Sequence, residues 1–415
     1  MTKKDLCGLI EQLGYINTPA YFYHTHEIDS QIKSLRRLLT DRFRLYYSVK
    51  ANPNPALVSY IYQAADGVEV ASEGELYLAL QAKVKPCNIL FIGPGKKKEE
   101  IRFAIERRIK AIVAESWEEL LLIQSVSKQV DVYTSVALRI NPAAKNIPGR
   151  LKMGGGASPF GIDEELIPEI IAGIQALDHI RLIGLQVYLG TQVLDEAQLV
   201  GNFAMIGKLA MGVNAMHTLE FIDFGGGFGI PYYKNDRDLD LHRASRDMHT
   251  LLAGWKSQKV LEHCEWIAES GRFIVAESGI LLTRVLYKKK SRGSIYVVLD
   301  GGSNIHAAAA GIGRFARHNF PVTAIQQVAS DEMENVQIVG PLCTPTDVIV
   351  QDAMLPVLRK GDYVVIQKSG AYGMTSSPVH FLGHALPGEW LLGEGGAYSV
   401  IRKKGEREDH YKFYR

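Results

Sequence analysis

Eight short β-rich runs follow one another between residues 43 and 273, and stretches of helical, amphipathic pattern separate them: FRLYYSVKA, GVEVAS, NILFIG, AIVAES, VYTSVALRIN, RLIGLQVYLG, FIDFGGG and EWIAESGRF. Strands that alternate with helices are joined by right-handed crossovers and lie parallel, and eight of them within roughly 250 residues close into a (β/α)8 barrel of the TIM type. A helical pattern from Glu27 to Leu39 leads into the first run. In such a barrel the chemistry gathers where the strands end, so the residues that close each run become the candidates for function.

Beyond Ala276 the texture changes. Period-two runs such as SIYVVLDGG, YVVIQK, EWLLG and YSVIRKK are separated by Gly, Pro and Asn, which predicts a C-terminal antiparallel β domain. The opening TPAYFYH is also extended and apolar and is expected to join that domain. The organisation read from this is an extended segment over 1–25, a barrel over 26–275 and a β domain over 276–415, with no internal repeat or low-complexity linker.

The 415 residues are 47% hydrophobic and 22% charged, as expected of an ordered chain with two domains. A net charge of +2, from 47 basic and 45 acidic residues dispersed along the chain, argues against nucleic acid or an anionic membrane as partner and favours a small ligand. Cys7, Cys87, Cys264 and Cys343 show no paired spacing, so neither a disulfide framework nor a zinc knuckle is expected. The first fifteen residues carry Asp5 and Glu11 within their apolar pattern, and no later run suggests a membrane span; the expectation is a soluble, cytoplasmic, unprocessed protein. His24 with His26, and His380 with His384, lack acidic company, and no metal site is expected.

Two charged stretches have structural readings. Ser72-Glu73-Gly74-Glu75 fits a capping box, which assigns Glu75 to a helix start. Lys96-Lys97-Lys98-Glu99-Glu100 fits a solvated helix face, and Gly93-Pro94-Gly95 before it lacks the spacing of a nucleotide-binding loop.

Four other strand ends carry chemistry. Lys50 closes the first run and offers an amine capable of a Schiff base. Gly225-Gly226-Gly227 lets the backbone approach an anion closely enough for N–H donation, and Arg272 adds a permanently charged fork for a phosphate. Glu269 is suited to pair with a protonated pyridine nitrogen. Tyr188 offers an aromatic face to a cofactor ring, and Thr191 a hydroxyl to its phosphate. An amine, an acid, an arginine and a phosphate cradle together make a pyridoxal 5'-phosphate site, although each motif alone has a plain structural reading as a turn, a strand end or a core aromatic.

These motifs resemble the fold-type III pyridoxal phosphate decarboxylases, the family of the diaminopimelate, ornithine and arginine decarboxylases, over nearly the whole chain. YYSVKAN resembles the family's Schiff-base segment around Lys50, FIDFGGGFG its phosphate loop, and AESGRF its EPGR segment, with Ser270 in place of proline and Gly271 and Arg272 retained. GVEVAS follows in the family's order, which places Glu69 and Ala71 near the ring. GPLCTPTD resembles the cysteine motif and GAYG the tyrosine motif. The resemblance implies a homodimer with shared sites, in which Cys343 and Tyr372 reach the cofactor of the neighbouring subunit and Cys343 returns a proton to the substrate Cα.

Departures from the family bear on the substrate. The residue after the motif cysteine is usually an acid that holds a distal ammonium, but here it is Thr344. Tyr188 stands where histidine is common, and His384 stands where arginine is expected for a diaminopimelate carboxylate. Thr344, Asp347 and His384 are the substrate-facing candidates. The combination is most similar to the secondary-metabolism subgroup that contains the butirosin-pathway glutamyl-carrier-protein decarboxylase and siderophore decarboxylases. The implied activity is removal of the α-carboxylate of an L-amino acid or of an amino-acid conjugate, a carrier-protein thioester or a siderophore intermediate. The alternatives are a diaminopimelate decarboxylase, an amino-acid racemase and, less well matched, a non-catalytic pyridoxal phosphate carrier.

Overall fold

A computed structural model describes residues 8, 10–11, 16–143, 151–152, 156–257, 259, 261–312, 318–406, 408–409 and 412. The chain divides into two compact units, one of residues 30–231 and 237–273, the other of residues 1–29, 232–236 and 274–415. Cys7 lies outside the described residues.

In the first unit the eight expected runs become eight parallel strands: Phe43–Ser48, Gly67–Val70, Ile89–Phe91, Ala111–Ala114, Thr134–Asn141, Ile180–Gln186, Phe221–Asp223 and Glu265–Ser270. Each pairs with the next, and the eighth pairs with the first, which closes the barrel. These strands read as continuous apolar runs because both faces are buried. The inward face packs Tyr46, Leu90, Val113, Ala137, Phe221 and Ile267 into one cluster. Helices such as Pro55–Tyr62, Trp117–Val130 and Leu241–Ser257 follow the strands.

The helix Glu196–Met216 has 21 residues and the apolarity of a membrane span, which the run-by-run pattern did not suggest. Its Leu199, Phe203, Ile206, Ala210 and Val213 are buried, and it packs against Leu241–Ser257, as a barrel helix does.

The second unit is a sheet built on the long strand Gly279–Ser291. Ala20–His24, within the TPAYFYH segment, pairs antiparallel with it. Ser294–Leu299 and Tyr363–Ile366 also pair antiparallel with the long strand. The sheet is not wholly antiparallel, however. Ala20–His24 runs parallel to Gly388–Leu392, and Ser294–Leu299 runs parallel to Met333–Val339. Alternation along a strand reveals which face is buried but not the direction of its neighbour.

Candidate active site

The barrel register builds a polar layer above the apolar one. Tyr46 points inward with the core cluster, and two residues on, Ser48 points the same way and pairs with Glu69. Phe221 and Ile267 are inward, which turns Asp223 and Glu269 inward as well, and Asp223 pairs with Gln186. Ser48, Glu69, Gln186, Asp223 and Glu269 are all buried at the C-terminal ends of their strands.

Lys50 stands beside this layer on the turn Val49–Ala51. Its Nζ lies 2.7 Å from Glu69 Oε1, while Ser48 Oγ donates to Glu69 Oε2 at 2.8 Å. The Tyr188 ring centroid is 5.6 Å from the same amine. Gly271 packs the neighbouring turn against Lys50's own, since a Cβ there would meet Ala51 Cβ at 2.8 Å and Ser48 O at 2.9 Å. Lys50, Glu69, Tyr188, Glu269, Gly271 and the glycine triplet thus all belong to one barrel mouth.

Burial works to raise the Glu69 carboxyl, but the Lys50 charge and hydrogen bonds from Glu269, Lys50 and Ser48 outweigh it and hold Glu69 below the ordinary range. Glu269 goes the other way: burial and then the charges of Asp223 and Glu69 raise it well above the ordinary carboxylate range. Asp223 is pushed up to about 6, chiefly by burial. Burial likewise raises the Tyr188 phenol, against the opposing pull of Lys50 and a hydrogen bond with Thr191. Gln186 Nε2 donates to Glu269 Oε1 at 2.7 Å.

The glycine triplet forms a cradle that side chains would fill. Gly225 and Gly227 have φ of +60° and +97°, and a Cβ on Gly226 would lie 2.1 Å from Glu269 O. Gly225 N donates to Asp223 Oδ1 at 2.9 Å. The N–H groups of Gly226 and Gly227 donate to no acceptor among the described residues, and both residues are partly exposed, which suits an anion site. Arg272 follows Gly271 and opens the short helix Arg272–Val275. Asp223 Oδ2, Gln186 Oε1 and Ser270 Oγ are buried without a partner among the described residues. An amine, a carboxyl, an open anion cradle and unpartnered polar atoms fit pyridoxal phosphate.

Ala71 is exposed, and its N–H donates to Glu75 Oε2 at 2.7 Å. Ser72 caps the helix Glu73–Gln81 by accepting the Glu75 N–H, so half of the expected box forms, and Glu75 reaches back to Ala71 rather than to Ser72. The lysine run is not a solvated helix face throughout. Lys96 is buried, and its Nζ donates at 2.7 Å to Gly93 O, Val113 O and Glu119 Oε1. Burial lowers its pKa, opposed by Glu119. Beside it Arg139 pairs with Glu115 at 2.9 Å, so one edge of the barrel mouth is closed by internal ion pairs.

Cys343, Thr344, Asp347, Tyr372 and His384 belong to the second unit. Cys343 is exposed on a turn, next to Thr344. Asp347 does not present a free carboxylate to a substrate: it is buried, with Oδ1 accepting from Ser303 N at 2.6 Å and Oδ2 from Leu342 N at 2.8 Å. Its role is to fasten the cysteine turn, and its backbone N–H closes that turn onto Thr344 O at 3.3 Å. Tyr372 has φ of 51°, a left-handed conformation rare for a bulky residue and typical of functional positions. His384 is half-buried after the turn Phe381–Gly383.

Ser48, Gln186 and Asp223 were not among the residues singled out from the sequence. Asp223 lay within the quoted FIDFGGG run, where a carboxylate inside an otherwise apolar barrel strand is a recognisable signal.

Residues 25–276 match the family described as pyridoxal-dependent decarboxylase, pyridoxal binding domain. The L-glutamyl-[BtrI acyl-carrier protein] decarboxylase of Niallia circulans is 37% identical, covering 94% of this chain and 92% of that one. The 2-[(L-alanin-3-ylcarbamoyl)methyl]-2-hydroxybutanedioate decarboxylase of Staphylococcus aureus is 30% identical, covering 91% and 96%. The crystal structure of diaminopimelate decarboxylase from Helicobacter pylori complexed with L-lysine superposes with a TM-score of 0.85 at 29% identity, covering 97% and 98%. The chain belongs to the pyridoxal-dependent decarboxylases. It is a carboxy-lyase that uses pyridoxal phosphate, which supplies an electron sink for the charge left at Cα when the carboxylate departs.

Proposed function

We propose that this decarboxylase acts on an L-amino acid with no distal ammonium, presented as a carrier-protein thioester or an organic-acid conjugate in secondary metabolism. The observation that carries this is the Cys343 turn. Thr344 follows the cysteine, its hydroxyl lies 3.0 Å from that of Thr346, and the nearby Asp347 spends both oxygens on backbone N–H groups. A buried ammonium without an anionic partner is strongly disfavoured, so a turn without a free carboxylate suits a neutral or acidic side chain. Likeness to the glutamyl-carrier-protein and hydroxybutanedioate-conjugate decarboxylases supports the same reading.

With the cofactor bound, Lys50 would hold it and yield its place to the substrate amine, Glu69 would keep the Lys50 amine in position, Glu269 would pair with the ring nitrogen, and Gly226, Gly227 and Arg272 would hold the phosphate. Cys343 and Tyr372 act at the site of the partner subunit in a homodimer, and Cys343 delivers the proton to Cα.

Diaminopimelate decarboxylation is the rival reading, supported by the Helicobacter pylori fold neighbour. The test is CO2 release from the cofactor-loaded enzyme with free glutamate, lysine and meso-diaminopimelate and with carrier-bound and citryl-conjugated amino acids. Turnover confined to tethered or conjugated substrates is expected. Preference for free diaminopimelate would replace the proposal with its rival.

A further inference from the structure

Three carboxylates, Glu69, Asp223 and Glu269, meet in the barrel mouth, all of them buried. Lys50 offsets Glu69 at 2.7 Å. Asp223 and Glu269 are turned inward on adjoining strands with no such cation beside them, and burial and then the Asp223 charge raise Glu269, so one of the two keeps a proton.

Neighbouring groups fix where that proton resides. Gln186 directs its Nε2 to Glu269 Oε1, and Gly225 N occupies Asp223 Oδ1, which leaves Asp223 Oδ2 buried without a donor. Tyr46 pairs with Glu269 in the strand register, and burial pushes its phenol far up, so it stays neutral. The Tyr188 phenol is raised too. Lys50 and Glu69 neutralise one another, and Gln186 is uncharged. Among the described residues no cation in this layer is left to stabilise two anions at Asp223 and Glu269.

We propose that Asp223 is a positioning residue that shares a single proton with Glu269, so that the folded barrel already holds the proton Glu269 presents to the ring nitrogen. This rests on the reading that Glu269 is the ring partner. Were that proton given up to the ring nitrogen, both carboxyls would be anionic and would offset the cation so formed. Atoms and charge then balance without proton uptake from solvent.

Two measurements test this. Infrared spectra of the cofactor-free protein, compared between neutral and alkaline pH, are expected to show a protonated-carboxyl carbonyl that is lost in Asp223→Asn. Absence of that band from the unmodified protein overturns the proposal, whether or not the variant folds. Calorimetric titration with pyridoxal phosphate in buffers of different ionisation enthalpy reads the protons exchanged. In Asp223→Asn the amide donates to Glu269 and keeps it ionised, so binding is expected to take up about one more proton than in the unmodified protein. An unchanged proton count in a folded variant that binds cofactor also overturns the proposal, because a merely structural Asp223 would not alter proton stoichiometry. Should Glu269→Gln leave the cofactor's absorbance and proton count unchanged, the ring-partner reading fails instead, and the carbonyl band of the cofactor-free protein distinguishes the two failures.

Discussion

The Lys50 amine and the Glu69 carboxylate lie 2.7 Å apart across adjacent barrel strands, the carboxylate buried and the amine reachable from solvent. Glu69 is positioned by Ser48 on the strand that delivers Lys50, so acid and amine are set by one register pair, Ser48 with Glu69. Borohydride reduction of the loaded enzyme followed by peptide mapping is expected to mark Lys50 and no other lysine. Label on Lys96, which is also near the mouth but tied to three oxygens, would redirect the assignment.

Glu269 and Arg272, three residues apart, are proposed to hold different ends of the cofactor. Glu269→Gln is expected to leave cofactor bound and slow turnover on the order of 10²-fold or more, since an amide cannot stabilise a ring cation as a carboxylate does. Arg272→Ala is expected to weaken cofactor retention, measured as the concentration needed to restore full visible absorbance. Reversed phenotypes would exchange the two roles.

Much of this site was legible because parallel barrel strands are apolar on both faces, so the polar residues that close them stand out: Lys50, Glu269 and the Gly225 triplet. Gln186 was hidden by a register slip. The pairing of Thr134–Asn141 with Ile180–Gln186 shifts between Val136 and Ala137, which inserts one extra residue near Ile183 and Gly184. Simple alternation from the inward Ile183 would turn Gln186 away from the barrel interior, whereas the bulge turns it in. Lys96 was masked by its lysine neighbours, because a charge run does not reveal which member finds internal carbonyls. Asp347 looked like a ligand because its buried backbone partners, Ser303 N and Leu342 N, are invisible in sequence.

Lys96 supplies a stability prediction. Its amine satisfies two carbonyls and Glu119 in a nearly dry setting, so Lys96→Ala leaves a buried anion uncompensated and is expected to cost roughly 3–5 kcal/mol in denaturant unfolding. The double variant Lys96→Met with Glu119→Leu is expected to recover part of that loss. Equal midpoints for Lys96→Ala and the unmodified chain would show that the pair is not stabilising.

His306 sets a pH dependence. It is fully buried, and burial lowers its imidazole from the ordinary 6.5 to about 4. Ala309 N donates to Nδ1, which leaves Nε2–H to donate to Ser369 Oγ at 3.0 Å. The folded state therefore refuses a proton that the unfolded chain accepts. This contribution is complete above about pH 6.5 and is lost as pH falls toward about 4, by about 3 kcal/mol at most. Melting temperature against pH is expected to fall less steeply in this window for His306→Gln than for the unmodified protein; parallel curves would contradict the assignment.

Thr344 decides the last prediction. Its turn is held by Asp347, which is fully engaged by Ser303 and Leu342, so an acid placed at 344 would be the nearest free carboxylate to Cys343 on that turn. Thr344→Asp is expected to raise kcat/KM for lysine or ornithine by about tenfold to a hundredfold, the worth of one charge-assisted hydrogen bond to a partly buried ammonium. The same change is expected to depress turnover of a glutamyl-type substrate through like-charge repulsion. Because Thr344 is partly exposed and its side chain bonds only to Thr346 among the described residues, the substitution should leave the unfolding midpoint unchanged. Competition between lysine and a carrier-bound glutamyl substrate, followed by CO2 release, measures the switch directly. If the unmodified enzyme already turns over lysine or diaminopimelate efficiently, residue 344 does not govern selection, and the substrate belongs to primary amino-acid metabolism.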